Sequence, residues 1–110
     1  MESNLVKLFI ETQEKKYNQV VKLAANFPCI IGRQSPNLTI KDVRISRKHC
    51  QLILEAGQLY VEDLGSSNGV EVNGFKVKRV RLRADDQIKI GDTMIKILKI
   101  ELATVKRKKI

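Results

Sequence analysis

Apolar and polar positions alternate along most of this chain with a period of two, and no stretch settles into the 3.6-residue rhythm of an amphipathic helix. Residues 5–10 are apolar and β-rich, and a polar, charged connection follows over residues 11–18. Over residues 19–25, Val21, Leu23 and Ala25 share one face with Lys22 opposite, the mark of a half-buried strand. Pro28 breaks that run, and Cys29, Ile30 and Ile31 predict a third strand that ends at Gly32 and Arg33. Residues 34–37 are dense in turn formers, residues 38–40 predict a short strand, and residues 41–48 are polar. From His49 the pattern sharpens: Cys50, Leu52 and Leu54 alternate with Gln51 and Glu55, Ala56-Gly57 turns the chain, and residues 58–64 return with Leu59 and Val61 inward.

The next stretch, residues 63–74, holds two Asn-Gly pairs, Asn68-Gly69 and Asn73-Gly74. Asn-Gly tolerates positive φ at both central turn positions, so each pair predicts a tight hairpin turn, with Val70-Glu71-Val72 a very short strand between them. Gly65, Ser66 and Ser67 add backbone N–H groups and two hydroxyls, and donors held in a tight turn suit an anion. Residues 75–82 carry two apolar pairs, Phe75/Val77 and Val80/Leu82, offset at Lys78-Arg79, which predicts a bulge or a turn. Residues 87–90 alternate, Gly91-Asp92 turns, and a closing strand runs from residue 93 to about 102. About 10–11 short strands with turn signals between them predict an all-β fold, an antiparallel β-sandwich whose loops gather at two ends.

A length of 110 residues corresponds to one domain, expected over residues 1–105, with 106–110 a basic tail expected to fray. With 43% hydrophobic and 30% charged residues the chain is globular in composition. Its net charge is +9, and four of those charges are Lys106, Arg107, Lys108 and Lys109, which leaves +5 elsewhere. Such a balance favours an anionic partner without choosing between nucleic acid, membrane and phosphorylated protein. Cys29 and Cys50 show no CxxC spacing and the single histidine, His49, directly precedes Cys50, so no metal site is expected. Two reduced thiols, no secretory signal and no apolar run near 20 residues suggest a cytoplasmic or nuclear protein.

Several residues invite chemistry. Gly32-Arg33 joins a sharp backbone turn to a rigid fork of donors suited to phosphate. Ser46, Arg47, Lys48 and His49 place a hydroxyl, two cations and an imidazole before a strand. They suggest a phosphate cradle more than a Ser/His nucleophilic pair, for which Asp42 is only a speculative orienting acid. Asp85, Asp86 and Asp92 sit at turns and suit turn-capping better than acid–base work. Arg79, Arg81 and Arg83 alternate with Val80 and Leu82, so they line one strand face; with the tail they make a small basic nucleic-acid binder the alternative reading. The aromatic residues offer no evident base-stacking platform.

Taken in order, Ile31-Gly32-Arg33, Ile45-Ser46-Arg47-Lys48-His49, residues 63–74 and Ile90-Gly91-Asp92 resemble the forkhead-associated (FHA) domain, a β-sandwich that recognises phosphothreonine peptides. The resemblance spans residue 5 to about 102. It implies phosphate contacts from Arg33, Ser46, Arg47 and Ser67, with Ser67 standing where many members have threonine. Asn68 is similar to the asparagine that hydrogen-bonds the peptide main chain, and His49 to the histidine that braces the loops. Gly32 and Gly69 look like the glycines that shape the backbone. Val70 departs from the threonine common there, at a position not expected to touch phosphate. Arg44 suggests by its charge a preference for an acidic peptide residue. The resemblance implies an adaptor with no catalytic residues and no cofactor, expected as a monomer and without membrane contact. Its partner would be a phosphothreonine-containing protein or peptide.

Overall fold

The computed structural model describes residues 4–24 and 27–102; the basic tail and Ala25 lie outside them. Among the described residues eleven strands form: β1 Asn4–Glu11, β2 Lys16–Leu23, β3 Cys29–Gly32, β4 Leu38–Thr39, β5 Cys50–Glu55, β6 Gln58–Asp63, β7 Val70–Val72, β8 Phe75–Val77, β9 Arg79–Arg81, β10 Gln87–Ile90 and β11 Thr93–Glu101. They make two packed sheets, one of six strands in the order β2-β1-β11-β10-β7-β8 and one of five in the order β4-β3-β5-β6-β9. The inward positions of the alternating pattern supply the core. Val6, Leu8 and Ile10 of β1, with Ile88, Ile90, Ile95 and Ile97, face Ile31, Leu52, Leu59 and Val61, all of them buried. β-Branched side chains dominate because they pack well on a pleated surface.

Three local departures from the sequence expectation have physical causes. Asn68-Gly69 is not a hairpin turn. β6 and β7 belong to different sheets, so this segment is a crossover loop, and of the pair only Gly69 takes positive φ (+83°). The second pair does form the expected turn between β7 and β8, with Asn73 and Gly74 both at positive φ. The offset at Lys78-Arg79 is a change of sheet: β8 pairs with β7, whereas β9 pairs with β6. Finally, β2 begins at Lys16, because Thr12 closes the β1–β2 connection in four residues by accepting the N–H groups of Glu14 and Lys15.

One pair breaks the antiparallel pattern. β3 and β4 run parallel although only residues 33–37 join them. The chain doubles back because side chains replace a ladder: Asn37 Oδ1 accepts the N–H of Ile30 at 2.9 Å, and the Ser35 hydroxyl donates to the Ile30 carbonyl. That fold-back leaves Arg33 at the end of the sandwich where the β4–β5, β6–β7 and β10–β11 connections also emerge.

Candidate functional site

The β3–β4 and β4–β5 loops are sewn together by main chain. Arg33 N–H donates to the Ser46 carbonyl (3.0 Å) and Gln34 N–H to the Arg47 carbonyl (3.1 Å). The approach is so close that a Cβ on Gly32 would lie 1.9 Å from the Arg47 carbonyl oxygen. Only glycine fits there, whatever its φ. The Arg33 side chain is fixed at its root, with Nε donating to the Ile45 carbonyl at 3.1 Å. Its two Nη groups have no partner among the described residues, and the side chain is half-buried.

His49 sits beneath these loops, fully buried. Its Nδ1 accepts the N–H of Ser46 (3.0 Å), which places the ring proton on Nε2, and Nε2–H donates to the Gly69 carbonyl (2.7 Å). Its own backbone N–H donates to Ile31 and its carbonyl accepts from Leu64. One residue therefore ties β3, the β4–β5 loop and the β6–β7 loop. The imidazole is turned to the backbone of Ser46 and not to its hydroxyl. Asp42 is engaged elsewhere as well, so Ser46, His49 and Asp42 do not form a nucleophilic pair with an orienting acid.

The β6–β7 loop is organised by short side chains. Ser66 N–H donates to Asp63 Oδ1 (2.9 Å) and Gly69 N–H to Ser66 Oγ (2.9 Å). Ser67 N–H donates to Ser46 Oγ (3.1 Å), which fixes that hydroxyl as acceptor on one side and leaves its proton directed elsewhere. Of the N–H groups of Gly65, Ser66 and Ser67 expected to be free for an anion, those of Ser66 and Ser67 are thus engaged. Asn68 is exposed and its Nδ2 donates to the Arg44 carbonyl at 2.8 Å. Arg33, Ser46, Ser67 and Asn68 converge on one surface, with the exposed Arg47 beside it.

Arg44 and Asn68 also line a polar groove of about 270 Å³, with Gly69, Glu71, Lys89, Gly91 and Asp92. Nothing in the residue pattern singles out Lys89 or Glu71. Nor does it assign a supporting role to Asp42, which straps this wall together. Asp42 Oδ1 accepts the N–H of Arg44 (2.9 Å), and Oδ2 accepts the N–H of Asp92 (2.8 Å) and the hydroxyl of the buried Thr93 (2.8 Å). Partial burial pushes the Asp42 carboxyl up. The donors from Arg44, Thr93 and Asp92 and the Arg44 charge outweigh that and hold it below its ordinary value. The bond to Arg44, two residues on, is an Asx turn and local in sequence; the other two span fifty residues.

The alternative surface is arranged differently. Arg79 lies over the Tyr60 ring at 4.4 Å and pairs with Glu55, so its charge is engaged on the outer face of the five-stranded sheet. Arg81 shares that face, while Arg83 lies beyond β9. The thiols of Cys29 and Cys50 are buried in the core; burial pushes Cys29 up to about 11, and burial with the charges of Asp63 and Cys29 pushes Cys50 higher still. Among the described residues, no group of three or more His, Cys, Asp and Glu is placed to hold a metal ion, and no helix is long and apolar enough to cross a membrane.

This architecture and sequence have known counterparts. The chain is 36% identical over 72 residues to the FHA domain-containing protein FhaB of Mycobacterium tuberculosis, covering 64% of this chain and 46% of that protein. It therefore spans about half the length of the curated relatives it matches. The crystal structure of the FhaA FHA domain complexed with the intracellular domain of Rv3910 superposes with a TM-score of 0.73 at 25% identity, over 84% of this chain and 98% of that one. A structure from an analysis of phosphothreonine-dependent FHA domain interactions has the same fold, with a TM-score of 0.68 at 24% identity over 94% and 100% of the two chains. The family model for the FHA domain matches residues 29–91, which hold both sewn loops, His49 and the β6–β7 loop. The chain belongs to the FHA domain family.

Proposed function

We propose that this domain binds phosphothreonine-containing segments of partner proteins and acts as a phosphorylation-dependent adaptor. The observation that carries this reading is the convergence of Arg33, Ser46, Ser67 and Asn68 from three loops braced by one buried histidine. Phosphothreonine brings a charge of about −1.5 to −2 and three strong acceptor oxygens. In the proposed site the Arg33 Nη groups and the Ser46 hydroxyl meet the phosphate, with Arg47 and Ser67 at its edge. Asn68 holds the peptide main chain, and Gly32, Gly69 and His49 keep the loops in register. Hydrogen bonds to charged groups contribute about 1.5–3 kcal/mol each. Two of them separate a phosphorylated from an unphosphorylated segment by at least about a hundredfold. This is recognition and needs no bond to be made or broken, so the domain works as a binding module and not as an enzyme.

A degenerate phosphothreonine-peptide library, run beside its phosphoserine and unphosphorylated counterparts, should yield binders only from the first. Calorimetry with the best peptide should then show binding lost in Arg33→Ala at unchanged thermal stability. Unchanged affinity in that variant would remove Arg33 from the site.

A further inference from the structure

The outer face of the six-stranded sheet holds most of the charge that the tail does not account for. Strand register puts seven lysines and three glutamates on it, a net of +4 against a chain total of +9 of which four lie in the tail. Lys16 pairs with Glu11 and Lys99 with Glu101, at 3.7 and 3.1 Å. The other five have no carboxylate within ion-pair distance among the described residues, and four of these fall in line. Lys89 sits beside Met94, two residues from Lys96; Lys96 sits beside Phe9, two residues from Lys7; Lys7 sits beside Val20, two residues from Lys22. Each step crosses one strand and advances two residues, or about 8 Å from the ordinary strand spacing and rise. The row descends diagonally from β10 through β11 and β1 to β2.

Its upper end is the groove, which Lys89 lines together with Arg44 and Asn68. Along its course Leu98, the extra residue of the β1–β11 bulge, and Val20 are exposed at 41% and 49%, apolar positions among the ammonium groups. We infer that this row is a second recognition surface for the same partner, occupied by an acidic segment that follows the phosphothreonine and leaves the groove past Lys89. The inference rests on the phosphothreonine reading of the site. An extended chain covers about 3.3–3.6 Å per residue, so about seven residues span the row. Acidic residues at alternate positions would meet successive lysines. Nucleic acid fits less well, because the face carries no arginine fork and its aromatic residue, Phe9, is half-buried and gives no stacking platform.

The test compares three ligands by fluorescence anisotropy at low and physiological salt: the best library phosphopeptide, the same peptide with a seven-residue Gly/Ser extension at its C-terminus, and the same with an extension alternating Glu and Ser. The acidic extension should tighten binding about tenfold at low salt, with the gain shrinking as salt rises. Lys7→Glu/Lys22→Glu should abolish that gain and leave the unextended peptide unaffected, while Arg81→Glu on the other sheet should change neither. Equal affinity for the two extensions, or a gain untouched by the double variant, overturns the inference and leaves the phosphothreonine site standing. Failure of the unextended peptide to bind removes both. An oligothymidylate that displaces the acidic extension at equal charge concentration would make the row a nucleic-acid surface instead and overturn the peptide assignment.

Discussion

Replacing Asp42 with alanine tests whether the wall of the groove is held by one carboxylate. Three donors lose their acceptor: the N–H groups of Arg44 and Asp92 and the hydroxyl of Thr93. The two N–H groups reach water, so their loss costs little; the Thr93 side chain is fully buried and its hydroxyl is left stranded. An unsatisfied buried polar group costs about 1–3 kcal/mol, and the lost charge-assisted bonds bring the total to about 2–3 kcal/mol. In a domain of this size that lowers Tm by about 10 °C. Binding should weaken as well, by about tenfold at a temperature where the variant is fully folded, because the Arg44 carbonyl that positions Asn68 sits on the released loop. Asp42→Asn keeps one acceptor oxygen and should fall between. Urea unfolding followed by circular dichroism gives the stability, and calorimetry with the library peptide gives the affinity. The pH dependence has a definite sign. The Asp42 carboxyl is held below its ordinary value, so its contribution is present above the unfolded-state pKa and is lost as pH falls through the folded one. The gap between wild type and Asp42→Ala should therefore begin to narrow near pH 4 and shrink, as pH falls through the folded-state value, toward the gap left by Asp42→Asn. Equal midpoints at pH 7, or a gap that does not narrow in acid, would refute the strap.

Gly32→Ala should cost at least about 3 kcal/mol and abolish phosphopeptide binding, since a Cβ 1.9 Å from the Arg47 carbonyl forces the two sewn loops apart; retained affinity by calorimetry would contradict this. Ala56→Asn should raise the urea midpoint, by about 1 kcal/mol in stability and without changing the slope, because Ala56 sits at φ +53° where asparagine is tolerated better. Cys29 and Cys50 should resist a thiol reagent at pH 8 in the native domain and react fully in urea. Because their pKa values are raised in the fold, stability should decline as pH rises above about 8.5, where unfolded thiols ionise and folded ones do not.

Much of this fold is legible because period-two alternation is a local property. The β5–β6 hairpin follows from Cys50, Leu52 and Leu54 against Gln51 and Glu55, and the core positions Leu52, Leu59 and Val61 come directly from the pattern. What escapes is set by partners distant in sequence. The offset at Lys78-Arg79 suggests a bulge or turn, since nothing local distinguishes those from a strand that leaves one sheet for the other. The Asn68-Gly69 pair suggests a hairpin for the same reason: its dipeptide favours a turn, but β6 and β7 have no ladder to share. The parallel β3–β4 pair is invisible because Ser35 and Asn37 signal only a turn, not which strand the turn returns to. At the site, Arg33, Ser46 and Asn68 stand out by residue type and order. Asp42 and Lys89 do not, because their partners at the groove lie about twenty to fifty residues away in sequence.

The division of labour at the loop end follows from where each polar group can be satisfied. A phosphate ligand must find donors already aimed, or its binding energy is consumed in ordering them. Arg33 is stiffened at Nε and by its own N–H, yet its Nη groups remain at the surface, so the charge is placed without being buried. The buried imidazole of His49 does the opposite. Both its ring nitrogens are satisfied by backbone, which makes it a brace indifferent to the ligand. Exchanging the two roles would fail on energetic grounds. An arginine at position 49 would leave several donors unmatched in the core, and a histidine at position 33 would offer a single ring N–H in place of a fork. Arg33→His should therefore lose most phosphopeptide affinity while retaining stability, whereas His49→Arg should not fold, and a pair of thermal melts with one calorimetric titration separates the two outcomes.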